Sequence, residues 1–352
     1  MRVLITGCCG FIGSHLCERL LKEGNDIFGI DNMNDYYDVN IKKRNLDILQ
    51  KHENFTFFLE DIRETNKIEE LKPDIVFHLA AMAGVRNSIK NPKLYFDVNV
   101  NGFINILEQS VKIKLKKLIY ASSSSVYGLN KKIPFSEEDK LESCNSPYAC
   151  SKLTTEILAK TYFQLYDLPS CGLRFFTVYG PRGRPDMAPY KFLKNIMDNK
   201  PIKKFGDGSS SRDYTYIDDI IQGIISTSRR KEKDYQIYNL GNNKPVSLNS
   251  FISTCENVVS KKAIIENHPY QTGDVPRTLA DISKSKEHLN YLPETDLFSG
   301  LKKLMSFIEK EGNQNGGAHL QAQERRCHLG HVQEVRCTTD RLRAVRREIE
   351  KA

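Results

Sequence analysis

The 352-residue sequence has no run of about 18 apolar residues, so no segment suits a membrane span. It has no Cys-x-x-Cys pair. Its nine cysteines, an odd number without paired spacing, suit free thiols in a reducing compartment. It also lacks the apolar core of a signal peptide, because Met1-Arg2-Val3-Leu4-Ile5-Thr6-Gly7 reads straight into a strand. These absences predict a cytoplasmic protein. The net charge is +8, yet Lys is scattered and no basic-aromatic stripe occurs, which argues against nucleic acid as a partner. The chain is long enough for one large or two modest domains with a buried core.

What is present is an alternation of strand and helix patterns. Arg2 to Thr6 predicts a strand, and an amphipathic helix follows to about Lys22, closed by Gly24. Further strands are expected at Asp26 to Ile30, Phe55 to Glu60, Asp74 to Leu79, Leu118 to Ala121 and Ser170 to Phe175. Long helices are expected from Pro92 to Lys112 and from Pro147 to Tyr166. Such alternation implies a Rossmann-type, doubly wound parallel sheet of the α/β class, with ligands outside the carboxyl ends of its strands. Gly7, Asp31, Asp61, Ala80, Ser122 to Ser125 and Thr177 all fall at those ends. Phe57, Phe58 and Phe96 are expected in the core, with His78 structural and Cys8 and Cys9 as small packing residues.

After Thr177 the pattern changes. Pro181, Gly183 and Pro185 mark a loop. Helices are expected at Tyr190 to Asn199, Asp218 to Ser226, Ser247 to Ser260 and Phe298 to Lys310, and strands at Ile202 to Phe205 and Tyr235 to Leu240. The expected organisation is a dinucleotide-binding domain over residues 1–176, with a return segment at about 214–242. A smaller, partly interleaved α/β substrate-binding lobe takes residues 177–213 and 243–311. Residues 312–352 form a tail of different character. They hold seven Arg and one Lys, whereas residues 1–311 hold 12 Arg and 32 Lys. That shift suggests an appended segment. Cys327, His328, His331 and Cys337 in the tail match no compact zinc spacing, and no metal is expected.

Two local patterns carry chemistry. Gly7-x-x-Gly10-x-x-Gly13 lies between a strand and a helix, where bare backbone and a helix N-terminus suit a pyrophosphate. Asp31, 18 residues past Gly13, is placed to bind both ribose hydroxyls of NAD and to repel the 2′-phosphate of NADP. The second pattern is Ser146-Pro147-Tyr148-Ala149-Cys150-Ser151-Lys152. Ser146 suits an N-cap and Pro147 the first helical position, so Tyr148 and Lys152 share one face a turn apart. A nearby ammonium favours the phenolate of a tyrosine, whose ordinary pKa is about 10. The pair can then move a proton to or from an alcohol or ketone.

Taken with Asp61-Ile62, His78-Leu79-Ala80-Ala81, Ser123 with Val126-Tyr127-Gly128, and Arg212-Asp213-Tyr214-Thr215-Tyr216, these motifs resemble the extended short-chain dehydrogenase/reductases over residues 1 to about 311. That family includes the sugar-nucleotide epimerases and dehydratases. The resemblance is nearest to the branch acting on UDP-glucuronate at C4, through Asp31-Asn32-Met33-Asn34-Asp35-Tyr36-Tyr37-Asp38, Ala83-Gly84-Val85-Arg86 and Phe175 to Met187.

The resemblance implies Ser123, Tyr148 and Lys152 as the catalytic set. It implies NAD contacts from Gly7, Gly10, Phe11, Ile12, Gly13, Asp31, Asn32, Asp61, Ile62, Leu79, Ala80, Ala81, Asn99, Tyr148 and Lys152. It implies a UDP-sugar substrate met by Arg86, Ser124, Ser125, Thr177, Arg184, Arg212 and Gln271, and a homodimer built through helices of the first domain. Arg86 has an alternative reading as a partner of a surface acid. Pro189 is atypical of the pattern. Ser124 and Ser125 stand where dehydratases carry Asp-Glu and where a decarboxylase carries Glu before the valine. Hydroxyls there, with Thr177, suit a clamp on the sugar carboxylate. The expected reaction is reversible C4 epimerisation of UDP-glucuronate through a 4-keto intermediate. The alternatives are 4-epimerisation of neutral UDP-hexoses, decarboxylation, and NAD sensing without turnover.

Overall fold

The computed structural model of the chain describes residues 1–270 and 275–312. Strand β1 (Arg2–Thr6) runs through the glycine turn into α1 (Phe11–Lys22). The alternation continues through β2 (Asp26–Asp31), α2 (Val39–Leu49), β3 (Phe55–Leu59), α3 (Lys67–Leu71) and β4 (Ile75–His78). Next come α4 (Val85–Lys90), α5 (Pro92–Phe96), a π-helical turn (Asp97–Asn101) and α6 (Gly102–Lys112). Then follow β5 (Lys117–Ser123), a 3-10 turn (Ser124–Tyr127), α7 (Pro147–Tyr166), β6 (Ser170–Phe175) and β7 (Thr177–Tyr179). The later elements begin with α8 (Ala188–Met197), β8 (Ile202–Phe205), β9 (Ser211–Tyr216), α9 (Ile217–Arg229) and β10 (Tyr235–Leu240). They end with β11 (Pro245–Ser247), α10 (Leu248–Val259), β12 (Ile265–His268) and α11 (Ser283–Leu289). Residues 297–304 are helical.

Seven parallel strands form the main sheet, in the order β10, β6, β5, β4, β1, β2, β3. The strand order reverses between β1 and β4, which is where such sheets open a ligand crevice. Register brings the strand ends level: Thr6 lies opposite both Ile30 and His78, and Ser123 opposite Phe175. The residues just past these positions therefore share one edge. Helices cover both faces, so β4 and β6 are buried along their whole length.

Helix α9 shows why the cover holds. Ile217, Ile220, Ile221, Ile224 and Ile225 recur at helical spacing and are all buried. Each such side chain contributes about 1.5–3 kcal/mol relative to exposure. Strand β10, within the expected return segment, completes the main sheet. The remaining strands form two small sheets, β11-β9-β7 and β12-β8.

The chain divides into two compact units, Met1–Leu304 and Met305–Ala352. In the second, residues 305–312 are helical. The cysteine and histidine positions considered in the tail lie outside the described residues.

Three expectations need correction. Pro92 to Lys112 is not one helix, because the π turn divides it. Asn99, within that turn, accepts from Met82 N at 2.7 Å and donates to Met82 O and Ser151 Oγ, both at 3.0 Å. Those bonds fix a one-residue slip that apolar periodicity does not report. Phe96 is exposed rather than core, and Leu94 beside it is exposed too. Strands β7 and β9 and helix α2 were not anticipated. β7 is short, and the polar Ser211-Arg212-Asp213 start of β9 masks its alternation.

Candidate active site

The aligned strand ends line a cavity of about 1540 Å³. Its floor is the glycine turn. A Cβ on Gly13 would lie 2.0 Å from the Gly7 carbonyl oxygen, and one on Gly7 would lie 2.8 Å from Ala80 N. Backbone therefore faces backbone across the turn, and the N-terminus of α1 opens onto the cavity. This cradle fits the pyrophosphate of a dinucleotide.

At the end of β2, Asp31 is buried and accepts from Cys9 N at 3.1 Å and Met33 N at 2.9 Å. Lys42 Nζ, also buried, lies 3.7 Å from the same carboxylate. Lys42 lines the cavity and was not anticipated. A lysine 11 residues past Asp31 gave no signal until α2 folded back over the turn. Cys8 and Cys9 sit beside Asp31 as a group of metal-ligating types. Both are buried, and burial pushes the Cys8 thiol well up. We read them as packing beneath the turn.

The reacting group sits at the start of α7. Ser146 Oγ accepts from Ala149 N at 3.1 Å, and Pro147 takes the first turn. Tyr148 faces the cavity beside Ser123, which ends β5. Ser123 Oγ also accepts from Ser125 N at 3.1 Å, capping the 3-10 turn that presents Ser124 and Ser125. Burial raises the Tyr148 phenol above its ordinary range, while the Ser123 hydroxyl and the Arg184 charge pull it back.

Lys152 faces the same cavity, but its ammonium donates to the Ala121 carbonyl at 2.8 Å. Burial brings Lys152 down to about 8, opposed by Glu156 one turn further along α7. Both residues line the cavity, and the Arg184 charge favours the phenolate of Tyr148.

A buried polar chain stands behind the site. Glu156 accepts from Arg174 Nε at 2.9 Å, from Arg174 Nη2 at 2.8 Å and from Ser122 Oγ. Arg174 Nη1 reaches Tyr127 Oη at 2.9 Å, and that hydroxyl donates to Asn239 at 2.7 Å. The chain ties α7 to β5, β6 and β10, and so holds Ser123 opposite Tyr148. A charge in the otherwise apolar strand Ser170–Phe175 was its sequence signal, and Glu156 shares the Tyr148 and Lys152 face.

The structure brings nearly all of the expected site residues to this cavity. Gly7, Gly10, Phe11, Ile12, Gly13, Asp31, Asn32, Ile62, Leu79, Ala80 and Ala81 line it. So do Arg86, Ser123, Ser124, Ser125, Tyr148, Lys152, Thr177, Arg184 and Arg212, together with Pro189. Asp61 and Asn99 stand off its wall. Asp61 is held by Arg63 and Asn32, and Arg63 keeps its carboxyl well below the usual range. Asn99 has both side-chain polar atoms bonded to Met82 and Ser151, so it braces the wall from behind. Gln271 lies outside the described residues.

Arg86 lies 5.7 Å from the Phe205 ring centre. Arg212 Nη1 donates to Ser211 O at 2.9 Å. Arg184 forms a two-point pair with Asp186, at 3.0 and 2.6 Å.

The chain is similar to known proteins over most of its length. The GDP-mannose 4,6 dehydratase family model matches residues 4–304. UDP-glucuronate 4-epimerase of Thermodesulfobacterium geofontis is 45% identical over 312 residues, covering 87% of this chain and 96% of that protein. A probable UDP-glucuronate 4-epimerase of Rhizobium meliloti is 40% identical, covering 88% and 97%. The crystal structure of the Bacillus cereus UDP-glucuronic acid 4-epimerase with UDP-glucuronic acid and NAD is similar at TM-score 0.84 and 38% identity. That likeness covers 88% of this chain and 99% of the other.

Proposed function

The chain belongs to the GDP-mannose 4,6 dehydratase family of extended short-chain dehydrogenase/reductases, and from that premise we propose that it interconverts UDP-glucuronate and UDP-galacturonate. The observation that carries this reading is the Ser123–Tyr148 pair, set in one cavity with the glycine turn and the Ser124, Ser125 and Thr177 hydroxyls. Gly7, Gly10, Gly13 and the start of α1 would hold the pyrophosphate of NAD, Asp31 its adenosine ribose and Lys152 its nicotinamide ribose. When bound, NAD supplies the place where the C4 hydride is kept and from which it is returned.

Tyr148 takes the proton of the sugar 4-OH as the 4-keto sugar forms, and gives it back at the end. Ser123 hydrogen-bonds the same oxygen. The keto sugar turns in the cavity and presents its other face, so one base serves both directions. A 4-keto uronate is a β-keto acid and is prone to lose carbon dioxide. Ser124, Ser125 and Thr177 fix the carboxylate and suppress that loss. Arg86, Arg184 and Arg212 offer positive charge to the diphosphate-bearing nucleotide.

Purified protein given UDP-glucuronate without added NAD is expected to form UDP-galacturonate, read by chromatography. UDP-pentose as the main product, or turnover of neutral UDP-hexoses alone, would replace this assignment. No reaction with any UDP-sugar would leave an NAD-sensing protein. Ser125→Glu is expected to raise the UDP-pentose share about tenfold, the scale of one exchanged charge-assisted hydrogen bond. An unchanged product ratio would count against the carboxylate clamp.

The reading extends to assembly and compartment. Leu94 and Phe96 on α5 and Ile157 and Leu165 on α7 are exposed apolar residues, and α5 packs on α7. They support a homodimer through these helices. Ile157→Glu is expected to sediment as a monomer, and an unchanged sedimentation coefficient would exclude this face. The described cysteines are free, which supports the cytoplasm. No helix among the described residues is long and apolar enough to cross a membrane.

A further inference from the structure

One hydroxyl joins three walls of the cavity. Tyr36 lies in the segment between β2 and α2. Its Oη accepts from Asn87 Nδ2 at 2.9 Å and from Arg184 Nη2 at 3.2 Å. The Arg184 guanidinium also lies 4.9 Å from the Tyr36 ring centre. Asn87 belongs to α4, which follows β4, and Arg184 belongs to the loop after β7. All three residues line the cavity.

Topology gives this junction its meaning. β2 and β4 are the two neighbours of β1 in the sheet. A bond from the segment after β2 to the helix after β4 therefore passes across the end of β1, where the glycine turn lies. The backbone is shaped for the approach. A Cβ on Gly84 would stand 2.7 Å from Tyr36 Oη, and Gly84 has φ +102°, a conformation that suits glycine. Behind Tyr36, Tyr95 donates to the Ala83 carbonyl at 2.7 Å and meets the Tyr148 ring edge-on, with centroids 6.2 Å apart.

We propose that Tyr36 is a latch that closes the 32–38 segment over the dinucleotide and sets how long NAD stays bound. The inference rests on the function proposed above. A hydride that must be returned to the same sugar needs a cofactor that does not leave between the two transfers. Loss at that point would strand a keto sugar with no reductant. Tyr36 is thus a positioning residue: it holds Asn87 and Arg184 in place across the trough without taking part in proton transfer.

The test uses full-length protein loaded with NAD, with Tyr36→Phe and Asn87→Ala as variants. Exchange of bound NAD against isotopically labelled NAD gives the dissociation rate. Melting is measured with and without NAD. Tyr36→Phe keeps the ring over Arg184 and removes the shared acceptor. It is expected to raise the exchange rate about tenfold or more, with a smaller rise for Asn87→Ala. The melting temperature without NAD should be unchanged, and the increase that NAD confers should shrink.

Wild-type exchange in Tyr36→Phe would overturn the proposal. So would an equal loss of melting temperature with and without NAD, which would make Tyr36 a structural tie only. A wild-type chain that takes up no NAD would instead overturn the proposed function, and this inference with it.

Discussion

Tyr148→Phe is expected to lower epimerisation of UDP-glucuronate by about 10²–10⁴-fold while leaving NAD bound. The substitution removes one oxygen, the one on which the Ser123 hydroxyl acts. The ring, set edge-on against Tyr95, has the same shape and packing in the variant. The glycine turn and Asp31 are untouched, so cofactor content should match the wild type. Product formation by chromatography and bound NAD by absorbance separate the two effects. Residual turnover within about tenfold of wild type would remove Tyr148 as the base and shift attention to Ser123. Loss of NAD together with activity would show that the phenol supports cofactor binding more than chemistry. Burial and the Arg184 charge act on this phenol in opposite directions. The phenolate is therefore formed against the burial of its own site, and neighbouring charge is what makes that possible.

The second large effect is expected from Gly13→Ala. Its new methyl would stand 2.0 Å from the Gly7 carbonyl oxygen and 2.8 Å from the Gly7 carbonyl carbon. Backbone cannot swing aside as a side chain can, so the turn and the start of α1 must part. NAD affinity should fall by about 100-fold or more, roughly 3 kcal/mol. Overpacking at such a contact destabilises folds by about 1–3 kcal/mol, so some loss of melting temperature should accompany it. Calorimetric titration with NAD on protein shown folded by circular dichroism is the measurement. Wild-type affinity would mean that the cradle between Gly7 and Gly13 is not where the pyrophosphate rests.

The chemistry was more legible in the sequence than its support. Gly7, Gly10, Gly13, Tyr148 and Ser123 sit at strand ends or a helix start, where short-range pattern predicts both position and exposure. Residues whose role depends on an element folding back were hidden. Tyr36 lies far from Asn87 and Arg184 in sequence, and only the strand order brings them to one hydroxyl. Lys42 reaches Asp31 only after α2 turns across the cradle. Asp61 and Asn99 have partners that sequence does not show, Arg63 for the one and Ser151 for the other. Lys152 was placed on the correct face, but a long side chain chooses its acceptor from what the fold offers, here the Ala121 carbonyl.

The π turn at Asp97–Asn101 has one more consequence. A π turn holds an extra residue relative to α spacing, so the segments on either side differ in phase by about 100°, one helical residue. Tyr95, before the turn, points to Tyr148, and Phe103, after it, stacks on His78. A chain one residue shorter here would form a more regular helix and could satisfy only one of these two directions. Between Pro92 and Lys112 the site thus depends on a count of residues. A deletion there would turn half of the wall away.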